Sequence, residues 1–131
     1  MAEHRVIALS KGIRWQENLW ASAASAAGWD IDVVSSVDDI KDAIDAGGAN
    51  AVITGLGFRR LGIFPNMVVV EKARNSGVPV GVFSGHPDAK DLYESGEQPN
   101  DELFEFGLLG NLPALEQQVG AWLTSLTVEA E

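Results

Sequence analysis

Four stretches of this chain hold residue types that could do chemistry. Ser10-Lys11-Gly12 places a hydroxyl, a cation and a glycine directly after an apolar run. A helix starting there would offer free backbone N–H groups to an anion. The stretch has neither a Walker A nor a GxGxxG pattern, so an ordinary turn with a solvated lysine is the simpler reading. Gly55-Leu56-Gly57-Phe58-Arg59-Arg60 is the second stretch. Its glycines permit close approach of a ligand, and its arginines could grip a carboxylate or phosphate in bidentate fashion. A loop with solvated arginines would look the same.

Ser84-Gly85-His86-Pro87-Asp88 is the third stretch, and it invites a hydrolase reading. The spacing opposes that reading. A His and an Asp two apart on one loop rarely align as base and orienting acid, and Ser84 is not in a nucleophile elbow. Asp88 suits a helix cap and His86 an exposed loop position. The fourth feature is the set Trp15, Trp20, Trp29 and Trp122. Trp122 falls on an apolar helical stripe and is expected in the core. Trp15 and Trp20 are five apart and so lie on different edges of one helix, with one of them expected to be partly exposed as a contact residue. His4 and His86 are too far apart in sequence to suggest a metal site, and with no cysteine there is neither a disulfide nor a thiolate ligand.

Composition narrows the class. The chain has 131 residues, enough for one packed domain. Its net charge of −10, with nine Lys plus Arg, opposes nucleic-acid binding, which needs a basic stripe. No apolar run approaches the roughly 20 residues of a membrane span. The start, Met1-Ala2-Glu3-His4-Arg5, lacks the apolar stretch of a signal peptide. These features lead us to expect a cytoplasmic protein.

The elements that must position these stretches alternate strand and helix five times. Strands are expected at 5–10, 31–35, 51–54, 78–84 and 103–109. Helices are expected from Arg14 to Ala27, from Ser36 or Val37 to the Gly47-Gly48 stop, and from Pro65 to Ser76. A short one follows from Pro87 to Ser95, and a last one carries Leu112, Leu115, Val119, Trp122, Leu123 and Leu126 on one stripe. Val68-Val69-Val70 favours a strand locally, but parallel neighbours need a crossover, so a helix is preferred there. Residues 127–131 read as a frayed acidic tail. This order predicts a flavodoxin-like α/β fold, a doubly wound five-stranded parallel sheet with order 2-1-3-4-5 and helices on both faces. A ligand site would lie beyond the carboxyl ends of strands one, three and four.

The spacing over residues 4–126 resembles the receiver domain of response regulators. The best local match is Asn50-Ala51-Val52-Ile53-Thr54-Gly55, which is similar to the family's third strand. The resemblance implies a phosphoacceptor Asp at the end of that strand. Here the place holds Gly55, or Thr54 if the register shifts by one, and neither forms an acyl phosphate. The family's metal-binding acidic pair corresponds to Leu9-Ser10-Lys11, and hard cations want carboxylate oxygens. Its strand-four Ser/Thr corresponds to Ser84, and its strand-five lysine to Gly107 or Leu108. Phosphoryl transfer needs the carboxylate, the metal and the lysine together. The resemblance is therefore to an atypical or pseudo-receiver.

The expected function is a non-phosphorylatable signalling module that docks to a histidine kinase, a regulator or a second copy of itself. No catalytic residue, metal or other cofactor is expected, and neither nucleic acid nor membrane is an expected partner. By resemblance, the docking surface would draw on Trp15 and Trp20, and on Phe104, Phe106 and Leu109 around the fifth strand. The alternative is a domain binding a small anion on a rim made by Lys11, Thr54, Gly55, Arg59, Ser84 and His86.

Overall fold

A computed structural model describes residues 4–10, 12, 14–55, 66–83, 93, 94, 96, 98, 100–104 and 111–130, the last three without their side chains. Five strands form one sheet: β1 (Arg5–Leu9), β2 (Asp30–Val34), β3 (Ala51–Gly55), β4 (Val80–Phe83) and β5 (Glu102–Phe104). Their order is β2-β1-β3-β4-β5, and every neighbouring pair is parallel. The described helices are α1 (Arg14–Ala26), α2 (Val37–Asp45), α3 (Met67–Asn75) and α4 (Leu112–Ala130). The sheet order and the parallel pairing are those the alternating pattern predicts. Most of the expected helix over 87–95 lies outside the described residues, although Tyr93 and Glu94 are helical.

Successive side chains of a strand point to opposite faces, which divides the core in two. Val6, Ala8, Ala51 and Ile53 face α1 and α4, where they meet Leu19, Trp20, Ala23, Leu115, Val119, Trp122 and Leu123. Ile7, Leu9, Val52, Val80 and Val82 face α2 and α3, where they meet Ile40, Ile44, Val69, Val70 and Ala73. Burial on both faces explains why these strands read as unbroken apolar runs. It also settles the valine triplet. Val69 and Val70 are buried within α3 while Val68 is exposed, so packing of one helix face overrides β-propensity.

The helix ends follow their local chemistry. Gly28, at φ +78°, closes α1 in a Schellman motif, with Gly28 N–H donating to the Ser25 carbonyl and Trp29 N–H to that of Ala24. Ser36 caps α2 by accepting from Asp39 N–H, and Asp38 and Asp39 complement the positive end of the helix dipole.

Two expectations about α4 need correction. Residues 127–130 are not a frayed tail but continue the helix to Ala130. The anchor is Trp29, whose indole N–H donates to Thr127 Oγ1 at 2.9 Å. Leu112 is exposed, because it stands at the helix's first residue, outside the described core that takes the other five stripe residues.

A buried ion pair fastens the amino end of the sheet. Arg74 Nε donates to Asp101 Oδ2 at 2.9 Å, with side-chain exposures of 8% and 1%. Asp101 also accepts from the backbone N–H groups of Val80 and Gln98, while Arg74 Nη2 donates to the Tyr93 carbonyl. The pair thus joins α3, the start of β4 and the segment leading to β5.

Gly81 marks a close approach. A Cβ there would lie 2.8 Å from Phe104 Cζ and 3.0 Å from Trp122 Cζ3. Both are rings of a packed core, so Gly81→Ala is expected to cost about 1–3 kcal/mol through overpacking. Urea denaturation of the variant measures this, and an unchanged midpoint would show that the two rings can move apart.

Candidate functional site at the carboxyl edge of the sheet

β1 and β3 are neighbours, yet the chain leaves them for opposite ends of the sheet, toward β2 and toward β4. This is the topological switch point, where open α/β sheets form their ligand crevice. Ala8 pairs with Ile53, so Ser10 and Gly55, each two residues further on, stand level at the crevice floor.

Ser10 remains in the ladder, its N–H donating to the Val34 carbonyl at 2.9 Å. Strand alternation therefore sends its side chain to the face of Val6 and Ala8, under the beginning of α1. The residue is 3% exposed and its hydroxyl has no hydrogen-bond partner.

Gly55 presents only backbone. Its carbonyl accepts from Thr54 Oγ1 at 2.8 Å and from Asn66 Nδ2 at 3.0 Å. A Cβ at Gly55 would stand 3.2 Å from the Phe83 carbonyl oxygen on the adjacent strand.

Asn66 is the site residue that the sequence reading overlooked. It precedes α3 in the N-cap place, where Asn is a favoured type, and that preference was the available signal. Its amide nevertheless makes no cap hydrogen bond, because Nδ2 is turned to the end of β3. Asn66 Oδ1 is buried and has no partner.

Several expected site residues stand elsewhere. Thr54 is not on a rim but fully buried, on the α2–α3 face with Val52, and its hydroxyl is taken internally. Trp20 and Phe104 are not surface residues. At 1% and 0% exposure they belong to the α1–α4 core, because α1 turns Trp20 onto the sheet and α4 covers β5.

Trp15 is the exposed member of its pair, at 43%. It stands in the first turn of α1, edge-on to Phe83 with ring centroids 6.2 Å apart. Phe83 in turn packs edge-on against Trp20, and Trp20 lies near Phe104. A row of aromatic rings thus runs from the carboxyl-edge surface into the core. Lys11, Arg59, Ser84, His86, Phe106 and Leu109 lie outside the described residues. Among the described residues, no group of three or more His, Asp or Glu side chains could hold a metal, and no helix is long and apolar enough to cross a membrane.

No family model matches this sequence, and no curated protein matches it. Solved structures do share its architecture. A response regulator receiver protein from Sinorhizobium medicae superposes with a TM-score of 0.59 at 18% identity, over 88% of this chain and 96% of that one. The receiver domain of Francisella response regulator 1452 gives 0.65 at 12% identity, over 94% and 98%. A de novo designed Rossmann 2x3 protein gives 0.65 at 17% identity, over 92% and 90%. The chain therefore has the flavodoxin-like fold of a response-regulator receiver domain. That a designed protein shares the architecture is a reminder that fold alone does not carry function.

Proposed function

We propose that this chain is a receiver-like signalling module that works by docking to another protein and has no phosphoryl-transfer chemistry of its own. The observation that carries the reading is Gly55. At the strand end where the receiver resemblance implies a nucleophilic carboxylate, this chain has no side chain, and the backbone carbonyl there already accepts two internal hydrogen bonds. Ser10 and Lys11 stand where the resemblance implies metal-binding acids, and Leu108 or Gly107 where it implies a lysine. An intact fold without the reacting groups suits recognition.

The docking residue assigned on this reading is Trp15. An exposed indole beside an aromatic neighbour is the kind of side chain that dominates interface energies. The partner class is a histidine kinase, a regulator or a second copy of the chain, met in the cytoplasm.

Acetyl phosphate with Mg²⁺ is expected to leave the intact mass unchanged, and Gly55→Asp alone is expected not to restore labelling. The new Cβ would stand 3.2 Å from the Phe83 carbonyl oxygen, and the new carboxylate would lack both metal acids and lysine. A mass increase of one phosphoryl group on the wild-type chain would overturn the reading. Affinity capture from the source cells then tests docking. A stoichiometric protein partner lost by Trp15→Ala supports it, and capture of no protein at all opposes it.

A further inference from the structure

β2 is an edge of the sheet, with β1 on one side of it and no described strand on the other. The ladder decides which of its backbone groups are used. Asp30 N–H donates to the His4 carbonyl at 3.0 Å, and the Val34 carbonyl accepts from Ser10 N–H at 2.9 Å. Arg5 is level with Asp30 and Leu9 with Val34, so the parallel pattern turns the backbone groups of Asp30, Asp32 and Val34 toward β1. Ile31 and Val33 therefore point their N–H and carbonyl groups away from the sheet, and among the described residues nothing bonds to them. Such a row is a template for another strand. The two faces of this edge differ in chemistry. Ile31 turns its side chain to the α1–α4 face, and Val33, two residues on, shares that face at 36% exposure. Asp30 and Asp32 are exposed on the opposite face. There α2 packs over β1, with Asp38, Asp39 and Asp42 also exposed. Segment 30–45 holds six Asp against a single cation, Lys41. Asp45 is taken by Lys72. Arg5 reaches Asp32 at 3.3 Å, but both side chains stay about half exposed, at 51% and 54%.

We infer that the β2 edge accepts an extended, basic segment of a partner protein as a sixth strand of the sheet. Main-chain hydrogen bonds to Ile31 and Val33 supply the affinity, and alternation of side chains supplies the selectivity. Apolar residues of the segment cover Ile31 and Val33, while Lys or Arg residues at every second position lie beside Asp30 and Asp32. A second copy of β2 is the wrong occupant. In full antiparallel register the middle residue, Asp32, would face its own counterpart, and like charges directly opposite destabilise a strand pair. The acids thus exclude self-pairing and select a basic strand by the same means. This surface is separate from the docking role proposed for Trp15, and the inference does not rest on that role.

The test is titration of the isotope-labelled full chain with an acetylated, amidated peptide of alternating lysine and valine, about six residues long, the length of an ordinary strand. The largest amide shifts are expected at Ile31 and Val33, and binding is expected to weaken as salt is raised. A peptide of alternating glutamate and valine is expected to bind about tenfold or more weakly. The double variant Asp30→Asn/Asp32→Asn, which keeps the backbone, is expected to bind the lysine peptide about fivefold more weakly. Val33→Pro removes an outward N–H that the sheet does not use, so it is expected to keep the fold and lose the peptide. Methylated peptides test the wild-type chain and so do not depend on the folding of that variant. Antiparallel addition, the commoner pairing, sets valines opposite Ile31 and Val33. Methylation of the valine amides is then expected to abolish binding, and methylation of the lysine amides to leave it. The reverse result would support addition of a parallel strand. Binding that survives methylation of either set would overturn the inference, as would equal binding of the glutamate peptide or an absence of shifts at Ile31 and Val33. Loss of the peptide in Trp15→Ala would place it at α1 and overturn the inference as well.

Discussion

Replacing Asp101 with alanine is expected to destabilise the domain by about 3–5 kcal/mol, the scale for breaking a buried ion pair from one side. The carboxylate is 1% exposed and holds three donors: Arg74 Nε, Val80 N–H and Gln98 N–H. Its loss leaves the Arg74 guanidinium buried with the Tyr93 carbonyl as its acceptor among the described residues, and leaves two backbone donors without theirs. Desolvation without compensation is the source of the cost. With a denaturant slope of about 2 kcal/mol per M, the urea midpoint should fall by about 2 M. The double variant Arg74→Met/Asp101→Leu is expected to lose less than Asp101→Ala, because it removes the buried charge along with its partner. A drop below about 1 kcal/mol for Asp101→Ala would mean that water reaches the pair and screens it.

That pair also marks where sequence reading stops. Strands appeared as apolar runs because both faces of a parallel sheet are covered, and helices because one face repeats near 3.6 residues. Those signals are local, and they fixed the element order and hence the sheet. Arg74 and Asp101 are 27 residues apart in sequence, and neither stands out from the other charged residues until α3 and the segment leading to β5 are brought together. The end of α4 was misread for the same reason. An acidic terminus looks frayed until Trp29, 98 residues away, donates to Thr127. At the carboxyl edge the glycine in place of an acid was plain from the register of β3. The position of the Asn66 amide was not, because an Asn before a helix usually turns to cap it. Thr54 shows the converse error. A polar side chain at a strand end suggested a rim, but one further strand residue and an internal hydrogen bond bury it.

The helix period placed Trp15 and Trp20 on different edges of α1, and their substitution should separate folding from recognition. Trp20 is 1% exposed and lies between Phe83 and Phe104, at centroid distances of 5.6 and 6.1 Å. Trp20→Ala is expected to cost about 3–5 kcal/mol, from lost burial plus the cavity left in the α1–α4 layer. Trp20→Phe should cost much less, because the indole N–H it removes has no partner. Trp15, with 43% of its surface in solvent, makes one ring contact among the described residues, its edge-on approach to Phe83. Trp15→Ala should therefore change stability by less than about 1 kcal/mol, and should weaken binding of the docking partner by about 2 kcal/mol, roughly thirtyfold. Denaturation curves and partner affinities for the three variants form one comparison. If Trp15→Ala binds the partner unchanged, the docking face lies away from the start of α1. If it unfolds like Trp20→Ala, the exposed indole is a structural residue and the division of labour along this helix fails.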